Sequence, residues 1–491
     1  MRHIMAIDQG TSSSRAIIFD PEGNIVGVGQ QPFDMIFPAD GWVEQDPEVL
    51  WQTTLAAGRE ALVAAGVSAA DLAAIGITNQ RETTLVWDRQ TGACVYNAIV
   101  WQDRRTADRC EAMRQDGVQQ LVARETGLVI DPYFSGTKLA WLLENVPGVR
   151  QRALEGELCF GTVDTFLIWR LTGGKVHATD ATNASRTMLF DIGSQRWSPE
   201  LTGYLQIPHS LLPEVLDSAG SFGVADAGWF GASVPILGVA GDQQAALIGQ
   251  ACFDPGMSKS TYGTGCFAII NTGDQQLVST QQLLTTVAYR LDGTVTYALE
   301  GSIFAAGVAI KWLRDQIGLI QAPADTEDAA RRTAGETGGV YLVPAFTGLG
   351  APHWKPDARG LLTGLTLDTS RDQIVTATLH SVVYQTEDLL IAMAEDGAKV
   401  DRLRVDGGMV GNDLLCQFLA DITGCPVQRP RITETTALGA ASLAALGAGM
   451  LGSLNEAGQR WQLEREFAPA MEAQRRQELL DGWRQAVSRA I

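Results

Sequence analysis

Two segments far apart in this chain share one layout: a strand, a turn of glycine and hydroxyl residues, and a second strand. In the first, Ile4 to Ile7 and Arg15 to Phe19 flank Asp8-Gln9-Gly10-Thr11-Ser12-Ser13-Ser14. In the second, Met257 to Tyr262 and Cys266 to Asn271 flank Gly263-Thr264-Gly265. Short β-rich runs bounded by such residues predict hairpins. One hairpin in each half of a 491-residue chain predicts two similarly folded lobes, 1–250 and 251–491, with the junction near Gly249 to Pro255. Two unrelated hairpins in a chain of this size are the alternative.

Between the hairpins the pattern alternates between strand and helix. Pro47 to Ala65 places Leu50, Trp51, Leu55, Leu62 and Val63 near helical spacing, with Pro47 in the first turn. Ser68 precedes a short helix, Ala74 to Thr78 reads as a buried strand, and Thr84 to Asp88 as another. The class is therefore α/β. Glu472 to Ala490 carries Leu479, Leu480, Trp483 and Val487 on one helical face, as expected of a helix packed on a lobe.

Charge excludes several partners. With 37 Lys+Arg against 56 Asp+Glu, the net charge is −19, which opposes nucleic acid and anionic lipid. Six lysines occur, none in a G-x-x-x-x-G-K-[ST] run, so a Walker-type loop is excluded. Seven scattered cysteines without a C-x-x-C pair suit reduced thiols in a cytoplasmic protein. No signal-peptide apolar region follows Met1, and no run of eighteen apolar residues predicts a membrane span.

A polyanion must then be held by local devices. In the first turn, backbone N–H groups and hydroxyls can bind phosphate oxygens, Arg15 can add a fixed charge, and Asp8 can hold Mg²⁺; a polar surface turn reads equally well. The Gly263-Thr264-Gly265 turn can pinch the same phosphates from the other lobe. Val405-Asp406-Gly407-Gly408-Met409-Val410-Gly411-Asn412 is a strand entering a glycine turn before a helix, either an ordinary βα turn or a surface for a flat base. Gly238-Val239-Ala240-Gly241-Asp242 delivers a carboxylate to a helix start, where it can cap the helix or take a proton from an acceptor hydroxyl. Arg81 and Glu82, just past a buried strand, form either a solvated pair or a grip on a small polyol. Trp101 and Tyr133 can add an apolar wall and a phenol.

Taken together these motifs resemble the FGGY carbohydrate kinases, over Met5 to about Met450. Gly161-Thr162-Val163-Asp164-Thr165, Thr182-Asn183-Ala184-Ser185-Arg186-Thr187, Gly241-Asp242-Gln243-Gln244 and Thr435-Thr436-Ala437-Leu438-Gly439 belong to the match. The Asn79-Gln80-Arg81-Glu82-Thr83 stretch resembles members acting on glycerol rather than on xylulose, ribulose or fuculose. The resemblance implies two lobes of the actin, hexokinase and Hsp70 type, each with a ribonuclease-H-like core and a cleft between them. It implies transfer of phosphate from ATP, with Mg²⁺, to glycerol in a cytoplasmic homo-oligomer, dimer or tetramer. Glycerol would contact Arg81, Glu82, Trp101, Tyr133, Asp242, Gln243 and Phe267. The nucleotide would contact Thr11, Ser12, Ser13, Arg15, Thr264, Gly307, Gly408 and Asn412. Asp8 and Asp242 would lie near Mg²⁺, with Asp242 as base. Kinase activity on another polyol or a ketose is the nearest alternative, and a non-catalytic actin-like nucleotide switch a further one.

Two departures stand out. Lys311 stands where the family usually has a Gln that meets the nucleotide, and is expected there to contact the nucleotide with a positive charge near the phosphates or ribose. The segment Asp226-Ala227-Gly228-Trp229-Phe230-Gly231-Ala232-Ser233 lacks Lys and Arg where some bacterial members carry a basic loop for fructose 1,6-bisphosphate, so that inhibition is expected to be absent.

Overall fold

The computed structural model describes residues 2–355 and 357–491, and two sheets organise it. The first contains β1 (His3–Gln9), β2 (Ser13–Phe19), β3 (Ile25–Pro32), β4 (Leu72–Asn79), β5 (Val224–Ala225) and β6 (Val234–Gly241), ordered β5-β6-β4-β1-β2-β3. The second contains β7 (Met257–Tyr262), β8 (Cys266–Gly273), β9 (Leu284–Leu291), β10 (Thr294–Ile303), β11 (Arg402–Asp406), β12 (Val427–Pro430) and β13 (Leu463–Phe467), ordered β9-β10-β8-β7-β11-β12-β13. In the first, β1, β2 and β3 are antiparallel neighbours, and β4 and β6 continue the sheet parallel to β1. In the second, β7, β8 and β10 are antiparallel, and β11 and β12 continue parallel to β7. Each half thus repeats one five-stranded pattern, as the paired hairpins predict for two similar lobes and as the family resemblance implies for a ribonuclease-H-like core.

Both hairpins form, and the first is tighter than expected. Asp8 pairs with Arg15 and Gln9 with Ser14 inside the ladder, which leaves Gly10-Thr11-Ser12 as the turn. Gly10 N donates to Ser13 O at 3.0 Å across it. Buried Gln80 donates to Gln9 Oε1 at 3.0 Å and to Gln45 Oε1 at 2.9 Å, and Gln45 Nε2 donates to Thr11 O at 2.7 Å. This amide chain ties the turn to the end of β4.

Helix α1 (Pro47–Ala65) starts at an Asp46 cap that accepts from Glu48 N and ends at Gly66 in the left-handed region. Leu50, Trp51, Leu55 and Leu62 are buried against the first sheet, whereas Val63, expected on that face, is 81% exposed. Val63 follows Leu62 by one residue, a rotation of about 100° that carries it off the stripe. Leu85–Asp88, the other expected strand, pairs with Leu158–Gly161 outside the main sheet.

Two helices brace the halves together. α2 (Asp242–Gly249) leaves the end of β6, and α3 (Thr435–Gly447), from the second half, covers the first sheet. Its Ala437, Ala440, Ala441 and Ala444 pack on Ile4, Ala6, Ile17, Phe19 and Ala74. In return, Leu247 of α2 packs on Ile269, Ala288 and Ala298 of the second sheet. The C-terminal helix α4 (Ala473–Ala490) buries Leu480, Trp483, Ala486 and Val487 in the core of the second lobe, as its pattern predicts.

Candidate active site

Between the ends of β4 and β6 and the β7–β8 turn lies a cavity of about 260 Å³. Arg81, Glu82, Trp101, Tyr133, Asp242, Gln243 and Phe267, the full set expected around an acceptor, all line it, with Thr11, Ser12 and Thr264 beside them.

Asp242 arrives on β6, whose last four residues are buried. Gly241 occupies the helix cap, so Asp242 is the first residue of α2. Asp242 is therefore not the N-cap residue, although its carboxylate bonds a first-turn N–H of the same helix. Asp242 Oδ1 accepts from Gln243 N at 2.7 Å and lies 3.2 Å from Arg81 Nε, with a third of the side chain (33%) still open to solvent. Burial raises its carboxyl above the ordinary value, against the opposing pull of Arg81 and Lys259.

Arg81 and Glu82 are not a solvated pair, being 2% and 1% exposed. Their closest approach is 3.8 Å, because each has a better partner. Arg81 grips Glu300 of β10 through two parallel bonds, Nη1 to Oε2 at 2.6 Å and Nη2 to Oε1 at 2.8 Å. Glu82 accepts from Arg186 Nε at 2.7 Å, and Arg186 Nη2 reaches Glu300 Oε1 at 3.2 Å. The Glu82 backbone sits at φ 61°, a strained conformation for a residue with a Cβ. Burial pushes the Glu82 carboxyl up; burial also acts to raise that of Glu300, but Arg186 and Arg81 outweigh it and hold it down at about 2.

The aromatic wall is fixed from behind. Trp101 Nε1 donates to Thr11 Oγ1 at 3.0 Å, and its ring meets those of Tyr133 and Phe267 edge-on at 5.7 and 6.3 Å. Buried Lys138 donates to the carbonyls of Pro132 at 3.0 Å and Tyr133 at 2.5 Å, pinning the loop that presents the phenol. Gln243 Oε1 accepts from buried Lys259 of β7, whose Nζ also donates to Thr261 Oγ1 at 2.9 Å.

The expected nucleotide residues are less tightly gathered. Thr264 O accepts from Ala306 N and Val308 N, and Gly307 N donates to Gly263 O at 2.9 Å, joining the β7–β8 turn to the helix Gly307–Asp315. A Cβ on Gly307 would fall 2.5 Å from Gly263 O, so only glycine permits this approach. Lys311 lies one turn along that helix and is exposed. Gly408 and Asn412 follow β11, the parallel neighbour of β7. Asn412 Oδ1 caps the helix Asp413–Thr423 by accepting from Leu415 N at 3.0 Å, and its Nδ2 is 3.4 Å from Thr326 Oγ1. Ser13 Oγ accepts from Gln30 at 3.0 Å. Arg15 bridges Asp8 at 2.8 Å and Glu434, beside α3, at 2.6 Å.

Residues 3–249 match the N-terminal domain of the FGGY family of carbohydrate kinases, and residues 259–448 its C-terminal domain. The chain belongs to the FGGY family of carbohydrate kinases. It is 60% identical to glycerol kinase 1 of Pseudomonas aeruginosa, over 99% of this chain and 98% of the relative. It is also 60% identical to the glycerol kinase of Ectopseudomonas mendocina, over 99% of each. Among solved structures, Plasmodium falciparum glycerol kinase with ADP superposes with a TM-score of 0.92 at 35% identity, covering 100% of this chain and 98% of that one. A xylulose kinase from Lactobacillus acidophilus shares the fold, with a TM-score of 0.89 at 22% identity over 99% and 97% of the two chains.

In this FGGY kinase the sequence reading missed Glu300, Lys259, Arg186 and Glu434. Arg186 stood in a recognised motif without a role. Glu300 interrupts the otherwise apolar or small run Ala298-Leu299-Glu300-Gly301, and Lys259 lies in the middle of β7; a charge inside a buried strand was the available signal. Among the described residues of the kinase, no helix is long and apolar enough to cross a membrane.

Proposed function

We propose that this FGGY kinase phosphorylates glycerol with ATP, giving ADP and sn-glycerol 3-phosphate. The observation that carries the reading is the cavity at Asp242: small, and lined by the rings of Trp101, Tyr133 and Phe267 together with Arg81, Glu82, Asp242 and Gln243. A triol presents a hydroxyl on every carbon and a thin C–H edge, and such walls match both. A site built to bond each hydroxyl rejects analogues that leave its buried polar groups unpaired. The two bacterial relatives at 60% identity, both glycerol kinases, support the same substrate.

In this reading Asp242 accepts the proton of the attacking hydroxyl while that oxygen bonds to the γ-phosphorus, in line with departure of the ADP oxygen. Arg81, Glu82 and Gln243 orient the triol, and the aromatic wall excludes water that would otherwise take the phosphoryl group. The Gly10-Thr11-Ser12 and Gly263-Thr264-Gly265 turns offer amides and hydroxyls to the phosphates from opposite lobes. Asp8 and Asp242 stand at the same end of the first sheet, on β1 and just after β6. Two carboxylates would offer oxygen donors of the kind that suits Mg²⁺, an ion that keeps several waters and shares phosphate oxygens. Bound there, Mg²⁺ would supply positive charge to the phosphate oxygens.

The test is a panel of glycerol, other polyols and ketoses with ADP detection. Turnover of glycerol at a kcat/KM well above the rest is expected; appreciable turnover with a pentulose alone would overturn the assignment.

A further inference from the structure

Glu300 and Lys259 do not line the acceptor cavity, yet each binds a residue that does. Both belong to the second sheet, whereas Arg81 and Gln243 follow β4 and β6 of the first. Glu300 is completely buried and holds Arg81 by two bonds of 2.6 and 2.8 Å, which fixes the plane of the guanidinium with Nε toward Asp242 at 3.2 Å. Lys259 is also completely buried, and its ammonium bonds the side-chain carbonyl of Gln243. An ammonium can only donate, so its partner on Gln243 must be the oxygen. The Gln243 N–H₂ is then the end left to face a substrate.

We infer that Glu300 and Lys259 are positioning residues for the acceptor: Glu300 sets the orientation of Arg81, and Lys259 sets Gln243 as a hydrogen-bond donor, so the acceptor site is completed only across the two lobes. This rests on the glycerol reading for the identity of the acceptor.

The charges support the same conclusion. Arg81, Arg186 and Lys259 face Glu82, Glu300 and Asp242, and buried Asp406 also acts on Lys259. Around Asp242 itself stand Arg81, from the loop after β4, and Lys259 and Glu300, from β7 and β10. Removing the Glu300 carboxylate takes away the two bonds that fix the Arg81 guanidinium beside Asp242.

The experiment compares the full-length wild type with Glu300→Gln and Lys259→Met, varying glycerol and ATP separately and recording thermal melts. The inference expects glycerol KM to rise by about tenfold or more in each variant, the loss of one charge-assisted contact, with ATP KM within about twofold. A side chain needed only for folding would lower the melting temperature without separating the two KM values. Equal rises in both KM values, or glycerol KM within about twofold of wild type, overturns the inference. If Glu300→Gln does not fold, Lys259→Met decides the matter, since removing an ammonium also removes its burial cost. If wild type proves inactive on glycerol, the glycerol reading fails separately, and the same KM comparison is made with the acceptor that wild type does use.

Discussion

Arg81 Nε lies 3.2 Å from Asp242 Oδ1, so a guanidinium fixed in a buried network touches the carboxylate proposed to take the acceptor proton. This contact ties binding to chemistry, and substitutions at its two ends are expected to act differently.

Asp242→Asn keeps the shape of the side chain and removes its basicity. We expect kcat to fall by about 10²- to 10⁴-fold, the usual worth of a general base, with ADP affinity in equilibrium binding little changed. Near-normal turnover would show that Asp242 is not the base.

Arg81→Ala should damage the acceptor site and the fold together. It leaves Glu300, which is completely buried, without its two-bonded partner, and breaking a buried pair from one side costs about 3–5 kcal/mol. A lower melting temperature and a raised glycerol KM are expected. An unchanged KM with intact kcat would remove Arg81 from the acceptor contacts.

The pH dependence follows from two carboxyls shifted in opposite directions. Glu300 is held at about 2, below its value of 4.5 in the unfolded chain, so it contributes stability that is full above 4.5 and is lost as pH falls toward 2. Wild type should therefore lose stability more steeply over this window than Glu300→Gln, as measured by urea denaturation at several pH values. Asp242 is shifted upward from 3.8, so its charged, proton-accepting form disappears at a higher pH than for an exposed aspartate. The acid limb of kcat should accordingly lie above 3.8; a limb at or below that value would show that another group controls it.

Gly439 tests the brace between the lobes. A Cβ there would fall 1.8 Å from Ala245 O of α2, and one on Gly249 would fall 1.9 Å from Thr435 O. Gly439→Ala must push α3 away from the helix whose first residue is Asp242. A destabilisation of about 1–3 kcal/mol and a reduced kcat are expected, read by thermal melt and steady-state assay. Wild-type values for both would mean the two helices have room to separate.

No inhibition by fructose 1,6-bisphosphate is expected. The 226–233 segment lacks Lys and Arg, and the cations nearby are engaged: Lys175 with Asp226 at 3.2 Å and Arg59 with Trp229 O at 3.0 Å. Trp229 also packs edge-on against Trp51 at 4.9 Å, seating the segment on α1. A titration in which low millimolar effector slows the enzyme would refute this.

Much of the architecture was legible because it depends on short-range patterns. Glycine and hydroxyl turns between apolar runs mark the hairpins, and Asp46-Pro47 and Gly66 mark the ends of α1. The residues that line the cavity were legible through family motifs, each confined to a few consecutive positions. Unrecognised were the contacts with no local signature: β3, where glycines at 27 and 29 let α1 lie against the sheet, and α3 from the second half covering the first sheet.

The same division runs through the site. From sequence alone came the two-lobed α/β class, the turns proposed to hold phosphate and the polar and aromatic residues of the cavity, because strand ends and turn glycines are written in consecutive residues. Only the tertiary structure decided which charges pair. Arg81 adjoins Glu82 in the chain but takes its two strong bonds from Glu300, and Gln243 takes its orientation from Lys259. A buried charge must find its partner wherever the fold brings one within bonding distance, and that distance belongs to the packing of the two sheets rather than to any stretch of sequence.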